Sequence, residues 1–181
     1  KGPNTGGMGV IAPNPFVTEE VLKDFNDNIL IPTLTGIKEE RFDYRGIIFF
    51  GIMITKKGVE LLEYNVRMGD PETQSLLSLM ESDLLELIEA SLEDRLESFP
   101  IEWTNGTCVN VVLASKGYPG DYEKGKIITI NEEVKNNVFV AGGKIQDGNL
   151  VTSGGRVLSV VGIAETPELA KKEAYNKIQS V

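Results

Sequence analysis

The segment from Leu61 to Gln74 carries the side chains with the most evident chemical potential. Its first part alternates polar and apolar residues, so a β-strand here would place Glu63, Asn65 and Arg67 on one face. A carboxylate and an amide oxygen are suitable ligands for a magnesium ion that keeps its other positions for water and substrate phosphates. A neighbouring guanidinium is suited to binding a carboxylate or a phosphate. The spacing therefore predicts a metal and phosphate site.

The same pattern is also typical of a solvated strand face on which Glu63 and Arg67 offset each other's charge. The residues that follow favour a functional site over that alternative. Pro71 fixes the backbone, and Asp70 and Glu72 add two acids beside the strand end, just before a helical pattern begins. An ordinary turn does not need so much acid next to an arginine.

A second candidate is the glycine-rich segment of residues 2–9. Glycine allows unusual dihedral angles and adds no side chain, so the backbone N–H groups could approach an anionic ligand closely. A flexible chain terminus is the alternative interpretation of the same composition. Residues 117–122 predict a β-turn with aromatic packing and a structural role.

The first hundred residues are predicted to combine helices and strands after an initial loop of residues 1–15. Thr18 is a typical N-cap for a helix that continues to about Thr35. The apolar run of residues 46–55 predicts a strand that is buried on both faces. A short turn leads back into a polar-faced strand over residues 59–68, so these two strands are predicted to form a hairpin.

Two more helices are predicted before a domain boundary at Pro100. One covers residues 71–80, and the other begins at Ser82 or Asp83 and carries apolar residues at helical spacing as far as Leu96.

The C-terminal part is predicted to be a small β-sheet with one covering helix. Thr166-Pro167-Glu168 supplies an N-cap followed by proline at the first helical position, which is typical of a helix start. The strand-like runs are residues 107–115, 126–130, 138–141, 150–151 and 156–163.

Charge and composition exclude several classes of function. The net charge is -9, and residues 1–100 hold 18 acidic and 9 basic side chains, whereas residues 101–181 hold 9 of each. Nucleic acids and anionic membranes are therefore poor candidates as partners, and an anionic ligand would need a cation as mediator. The absence of histidine from the sequence excludes histidine-based catalysis and histidine metal sites within it.

Cys108 is the single cysteine, so no disulfide can form within this sequence, and a reducing compartment such as the cytoplasm is expected. Its apolar surroundings favour a buried packing role over a nucleophilic one. No apolar run is long enough to span a bilayer, so no membrane partner is expected.

Five motifs, in order along the chain, together resemble the phosphoribosylamine–glycine ligase family, also called glycinamide ribonucleotide synthetase, of the ATP-grasp superfamily. The motifs are Gly2-Pro3-Asn4-Thr5-Gly6-Gly7-Met8-Gly9, Leu62-Glu63-Tyr64-Asn65, Arg67-Met68-Gly69-Asp70-Pro71-Glu72-Thr73-Gln74, Gly117-Tyr118-Pro119-Gly120-Asp121-Tyr122 and Gly154-Gly155-Arg156-Val157-Leu158.

The resemblance implies a step of de novo purine biosynthesis in which ATP, glycine and 5-phosphoribosylamine give glycinamide ribonucleotide, ADP and phosphate through a glycyl phosphate. Glu63 and Asn65 match the metal ligands, for Mg²⁺ or Mn²⁺, and Arg67 matches a catalytic residue that stabilises the transferring phosphoryl group. The expected substrate-binding residues are Asn4, Thr5, Gly6, Gly7, Met8, Gly9, Asp70 and Glu72. Within this set, the acids Asp70 and Glu72 are expected to fix Arg67 and the loop.

The resemblance also implies an α/β (α+β) fold. Residues 1–100 are expected to be the C-terminal half of an ATP-grasp domain, and residues 101–181 a small, truncated β-rich domain. An N-terminal domain and the nucleotide lid are expected upstream of Lys1, so this piece alone is expected to be inactive. Two alternatives are another ATP-grasp carboxylate–amine ligase, such as the purine carboxylase or formate-using relatives, and a non-catalytic module that keeps the fold.

Overall fold

The computed structural model describes residues 2–181 and divides the chain into two compact units. The sheet unit contains the residues up to Pro13 together with Asp70–Met80 and Trp103–Val181, and the helix–hairpin unit contains Asn14–Gly69 and Glu81–Glu102. Both units mix helices and strands, which confirms the α/β (α+β) class.

The boundary expected at residue 100 does not separate these units, because two early elements pack with the C-terminal strands. The strand Gly9–Ala12 and the helix Glu72–Leu79 both belong to the sheet unit. Each unit is therefore assembled from segments that are not contiguous in the sequence.

The helix–hairpin unit begins with helix α1 (Glu19–Phe25), a π-helical segment (Asn26–Leu30) and helix α2 (Ile31–Glu39). Thr18 caps α1 as predicted, since its hydroxyl accepts a hydrogen bond from the Val21 N–H at 3.3 Å. Helical backbone continues to Glu39, four residues past the predicted end, and the proline of α2 lies in its first turn, just after the π-helical segment.

The predicted hairpin is confirmed by the antiparallel strands β2 (Phe49–Thr55) and β3 (Gly58–Asn65). The helices cover one face of this hairpin, where the Phe50 ring lies 5.2 Å from that of Phe25 and 5.5 Å from that of Tyr64. The expectation that β2 is buried on both faces is wrong, since Met53 is 53% exposed. The reason is that, among the strands of residues 2–181, β2 pairs with β3 alone.

Helix α3 (Glu72–Leu79) belongs to the sheet unit, and helix α4 (Leu84–Leu92) belongs to the helix–hairpin unit. Asp83 is the N-cap of α4, because its carboxylate accepts hydrogen bonds from the N–H groups of Leu85 and Glu86 at 2.7 and 3.2 Å. The helix ends before the predicted Leu96, since Asp94 adopts a left-handed φ of 57°, a conformation that terminates helices.

The sheet unit is built on four antiparallel strands in the order β1, β4, β8, β5. Its strands are β1 (Gly9–Ala12), β4 (Thr107–Ala114), β5 (Val138–Val140), β6 (Gly143–Gln146), β7 (Asn149–Thr152) and β8 (Arg156–Ala164), with β6 and β7 forming a separate hairpin. The sequence pattern assigned β1 to a loop, but it pairs with β4 from Gly9 opposite Val111 to Ala12 opposite Cys108.

Helices cover both faces of this sheet. Helix α5 (Pro167–Ile178) is the predicted covering helix, and it lies so close that a side chain on Gly162 would meet the Ala170 carbonyl oxygen at 2.3 Å. Alternate residues point to the other face, where Val161 and Cys108 form a buried cluster with Leu79 of α3. The sheet is therefore the core of the unit, and Cys108 is fully buried as expected.

One predicted strand is absent, and β6, like β1, was not predicted. Residues 126–130 run beside β7 with a single bridge between Ile127 and Val151, so they do not form a strand. The strand β6 is joined to β7 by Asp147 and Gly148, whose φ angles of 50° and 78° suit a two-residue hairpin turn. Within residues 2–181, no helix combines the length and apolar character that crossing a bilayer requires.

The link between α1 and the hairpin gives a testable pH dependence. The Asp24 carboxylate accepts hydrogen bonds from the Val59 backbone N–H at 2.7 Å and the Asn28 amide at 2.6 Å, and these bonds lower the pKa of Asp24 below its ordinary value. A lowered folded-state pKa stabilises the fold above the unfolded-state pKa, and this stabilisation is lost as the pH falls through the folded-state pKa.

We expect Asp24→Ala to lower the melting temperature at pH 7, and we expect the difference from wild type to shrink as the solution is acidified. Thermal unfolding followed by circular dichroism between pH 7 and pH 3 measures both effects. The control is Asp27→Ala, since Asp27 pairs on the helix surface with Lys23 and such exposed pairs contribute little. Equal melting temperatures for the wild type and Asp24→Ala at pH 7 would contradict the assignment.

Candidate functional site

The helix–hairpin unit presents Glu63 and Asn65 side by side on β3. Residues two apart on a strand share a face, and the Asn65 side-chain amide donates a hydrogen bond to Glu63 Oε1 at 3.1 Å. Their cross-strand partners on β2 are Gly51 and Phe49. The structure therefore brings together the two side chains that the sequence nominated as metal ligands.

Gly51 leaves the space that the Glu63 side chain occupies. A Cβ atom at position 51 would lie 2.9 Å from Glu63 Cγ, closer than such contacts are normally found. Sequence reasoning missed Gly51, although a glycine inside an otherwise apolar strand signals the close approach of another group. The register between the two strands also shifts next to Gly51, which marks a β-bulge beside the Glu63 pair.

The pair fits a hard divalent cation. A half-turn of the Asn65 amide would place its oxygen about where its nitrogen now lies, 3.1 Å from Glu63 Oε1. Two ligand oxygens at about 2.1 Å from an octahedral ion lie about 3 Å apart, so this spacing suits neighbouring ligands of one ion. Within residues 2–181, no three or more His, Cys, Asp or Glu side chains are grouped to hold a metal. An ion held by this pair would keep its remaining coordination positions for other ligands.

Arg67 does not share the strand face with this pair. The strand ends at Asn65, so the alternation that placed Arg67 beside Glu63 stops two residues too early, and that part of the prediction is wrong. Arg67 lies in a bend, is exposed, and donates one hydrogen bond from Nη1 to the Met68 carbonyl oxygen at 2.9 Å. The remaining guanidinium N–H groups give it capacity to bind an anion.

The sheet unit presents the glycine-rich loop, which is residues 2–9. All of these residues are exposed, and the loop leads directly into β1. The Gly6 N–H donates to the Tyr118 hydroxyl at 3.0 Å, and Arg156 Nη1 donates to the Gly7 carbonyl oxygen at 3.1 Å. The Met8 carbonyl oxygen accepts from the Val112 N–H at 3.1 Å. The nominated residues Asn4 to Gly9 are thus held at their C-terminal end and open to ligand.

Asp70 joins the same network. Arg156 Nη2 pairs with Asp70 Oδ2 at 2.7 Å, and Arg156 Nη1 also donates to the Asp70 carbonyl oxygen at 2.9 Å. Glu72 lies in the first turn of α3, where its charge interacts favourably with the helix dipole, and it is half-buried. The Asn110 amide donates to the Pro71 carbonyl oxygen at 2.9 Å. This turn is therefore fixed from two sides.

The close packing explains two glycines of the loop. A Cβ atom on Gly6 would lie 2.8 Å from Arg156 Cζ, and one on Gly7 would lie 2.5 Å from Pro71 Cδ. Larger residues at either position would push the loop away from Arg156 or from the Asp70 turn.

The sequence did not nominate Arg156, Tyr118 or Asn110 as site residues. The predicted turn at Tyr118 is confirmed, with its N–H bonded to the Ser115 carbonyl oxygen at 3.0 Å and its ring 6.2 Å from that of Tyr122. The hydrogen bond from Gly6 to Tyr118 had no local signal, because the two residues are 112 positions apart.

Two models of one protein family match the chain. The phosphoribosylglycinamide synthetase ATP-grasp (A) domain matches residues 1–73, and the phosphoribosylglycinamide synthetase C domain matches residues 108–181. Together these matches cover more than half of the sequence, and they occur in the order expected from the motifs.

Curated relatives and solved structures agree with this match. The chain is 56% identical to the phosphoribosylamine–glycine ligase of Clostridium acetobutylicum, over 100% of this chain and 44% of the relative. The crystal structure of phosphoribosylamine–glycine ligase from Thermotoga maritima is 39% identical with a TM-score of 0.87, over 99% of this chain and 44% of that chain.

A more distant likeness concerns the fold alone. Biotin carboxylase from Campylobacter jejuni is 17% identical with a TM-score of 0.66, over 96% of this chain and 38% of that chain. In each comparison the chain spans less than half of the other protein's length. The matched domains, their order and the level of identity together show that the chain belongs to the phosphoribosylglycinamide synthetase family.

Proposed function

We propose that this chain is part of a phosphoribosylamine–glycine ligase of de novo purine biosynthesis. The reaction joins glycine to 5-phosphoribosylamine, with ATP converted to ADP and phosphate through a glycyl phosphate. The observation that carries the proposal is the Glu63–Asn65 pair, 3.1 Å apart on an open strand face, in a chain that is 56% identical to a relative named for this activity.

We infer that Glu63 and Asn65 hold a divalent cation, Mg²⁺ or Mn²⁺. Both side chains offer hard oxygen ligands, and Glu63 supplies the negative charge that attracts the ion. When bound, such an ion neutralises phosphate charge as the γ-phosphoryl group moves. The excess of acidic side chains in residues 1–100 is consistent with a site that receives its anionic nucleotide as a metal complex.

Arg67 is proposed to stabilise the transferring phosphoryl group or the glycyl phosphate. Its exposed guanidinium presents a planar fork of N–H donors that matches two oxygens of a phosphate at once. The bond to the Met68 carbonyl oxygen fixes one arm of the side chain and leaves the others available.

The glycine-rich loop, together with Asp70 and Glu72, is proposed to help hold glycine and the ribose phosphate. Backbone N–H groups of an exposed glycine-rich loop can donate to carboxylate or phosphate oxygens without a side chain in the way. The negative charge of the two acids suits a role in fixing the loop better than direct contact with ATP.

The relatives are more than twice as long as this chain, and we propose that the rest of the enzyme completes the site with an N-terminal domain and a nucleotide lid. The cytoplasm is the proposed compartment, in line with the single reduced cysteine and a purine-pathway substrate. The deciding assay is ADP release by the full-length enzyme with glycine and 5-phosphoribosylamine. Turnover with bicarbonate or formate in place of glycine would instead support another ATP-grasp ligase.

We expect Glu63→Gln in the full-length enzyme to reduce ligation at least about a hundredfold, because the metal loses its charged ligand. Steady-state ADP release measures the loss, and an unchanged melting temperature shows that the fold is intact. The matched control is Glu60→Gln, an exposed carboxylate on the same strand. Near-normal turnover of Glu63→Gln would remove Glu63 from the metal site.

We expect Arg67→Lys to lower kcat about a hundredfold, since a point charge cannot reproduce a two-pronged contact that strengthens in the transition state. Nucleotide affinity, measured by calorimetry, should change much less than kcat. Arg95→Lys is the matched control, because Arg95 is exposed and pairs with Glu93 at 2.7 Å. A variant with most of its kcat would show that Arg67 does not stabilise the phosphoryl group.

We expect Gly51→Ala to weaken metal binding, because the new methyl group would displace the Glu63 side chain. The Mg²⁺ concentration for half-maximal activity should rise about tenfold, with partial recovery of activity at high Mg²⁺. Gly36→Ala is the control, since a Cβ atom there has nothing within 4 Å. An unchanged Mg²⁺ requirement in Gly51→Ala would show that the Glu63 position does not depend on this glycine.

A further inference from the structure

We propose that Arg156 and Tyr118 are positioning residues that hold the glycine-rich loop in its ligand-binding shape, an inference that rests on the proposed role of the loop in binding glycine or the ribose phosphate. The Arg156 guanidinium reaches three acceptors: the Gly7 carbonyl oxygen at 3.1 Å, the Asp70 carbonyl oxygen at 2.9 Å and Asp70 Oδ2 at 2.7 Å. These acceptors lie 149 and 86 positions away along the chain.

The Arg156 side chain is only 23% exposed, whereas its partner Asp70 is 52% exposed. A guanidinium with so little access to solvent and three protein acceptors has little capacity left for a ligand. Its position therefore suits a structural link between the glycine-rich loop and the Asp70 turn better than a direct substrate contact. We call Arg156 and Tyr118 together the brace.

Tyr118 also bonds the loop and is itself fixed. Its hydroxyl accepts from the Gly6 N–H at 3.0 Å, and its ring packs so closely on Gly155 that a Cβ atom there would lie 2.3 Å from it. The turn before Tyr118 is tied to the same segment, since the Ser115 N–H donates to the Gly155 carbonyl oxygen and the Ser115 hydroxyl to the Gly154 carbonyl oxygen, both at 2.8 Å.

The brace therefore joins four sequence motifs into one network around two adjacent loop residues. The Gly6 N–H and the Gly7 C=O bond the brace, which fixes the two peptide groups on either side of the Gly6–Gly7 peptide bond. A loop with this glycine content has many accessible conformations, and fixing it before the ligand arrives removes an ordering cost from binding. Loss of the brace should then appear mainly as weaker substrate binding.

The test uses Arg156→Lys and Tyr118→Phe in the full-length enzyme, with two measurements on each. Lysine keeps the charge but cannot reach three acceptors in a plane, and phenylalanine removes only the acceptor for the Gly6 N–H. Hydrogen–deuterium exchange of the peptide covering residues 2–9 should become faster in both variants, whether or not the proposed reaction is the right one.

Steady-state kinetics should show a higher KM for glycine or for 5-phosphoribosylamine, by about tenfold in Arg156→Lys and about fivefold in Tyr118→Phe. Changes in kcat and in ADP affinity should stay below about threefold, because the brace acts on substrate binding and does not contact the reacting groups. Tyr122→Phe is the matched control for Tyr118→Phe, because it removes a hydroxyl from the neighbouring ring without touching the brace. A merely structural role would lower the melting temperature without this split between KM and kcat.

Unchanged exchange of residues 2–9 in both variants would overturn the positioning role. Faster exchange with an unchanged KM for both substrates would also overturn it, since the brace would then have no bearing on binding. If Arg156→Lys does not fold, Tyr118→Phe decides between these outcomes. If both variants exchange faster but the wild-type enzyme does not ligate glycine, the proposed function is overturned and the brace itself is supported.

Discussion

The hydrogen bonds of the Arg156 guanidinium to Gly7 and Asp70 are the interaction that fixes the glycine-rich loop to the rest of the sheet unit. Three segments that are remote in the sequence meet at this one group, and the charge-assisted bond to the Asp70 carboxylate is the stronger type of hydrogen bond. A Cβ atom at position 7 would meet Pro71 Cδ at 2.5 Å, and one at position 6 would displace the Arg156 guanidinium, whose Cζ would lie 2.8 Å away. Packing alone therefore accounts for part of the glycine content of the loop.

In the helix–hairpin unit, the constraint is the placement of the Glu63 carboxylate beside Asn65 on an exposed strand face. Glu63 and Asn65 lie 3.1 Å apart, and Gly51 opposite them keeps the space clear. Two oxygen ligands do not satisfy an octahedral ion, so an ion held here would retain positions for water and substrate oxygens. Open positions of this kind are suited to phosphate oxygens, which are themselves good ligands for such an ion.

Local patterns predicted much of the fold. Thr18, Asp83 and Thr166 cap helices as their residue types indicate, and the hairpin of β2 and β3 follows from two strand patterns and a short turn. The pairing of Glu63 with Asn65 needs only the two-residue period of a strand. The two-residue period did not hold as far as Arg67, because β3 ends at Asn65. That end is set by pairing with β2, whose first residue, Phe49, lies opposite Asn65.

The features that could not be predicted are those that depend on partners far along the chain. Gly9–Ala12 has too few residues to signal a strand and becomes one by pairing with β4, about a hundred residues later. Residues 126–130 have a strand-like composition, but they share a single bridge with β7. Arg156 and Tyr118 appear in the sequence as parts of unconnected glycine motifs, and neither motif has a periodicity that relates it to residues 2–9. The hydrogen bonds to Gly6 and Gly7 connect these motifs in space, and glycines of two motifs, Gly6 and Gly7 in one and Gly155 in the other, permit the close approaches in that network.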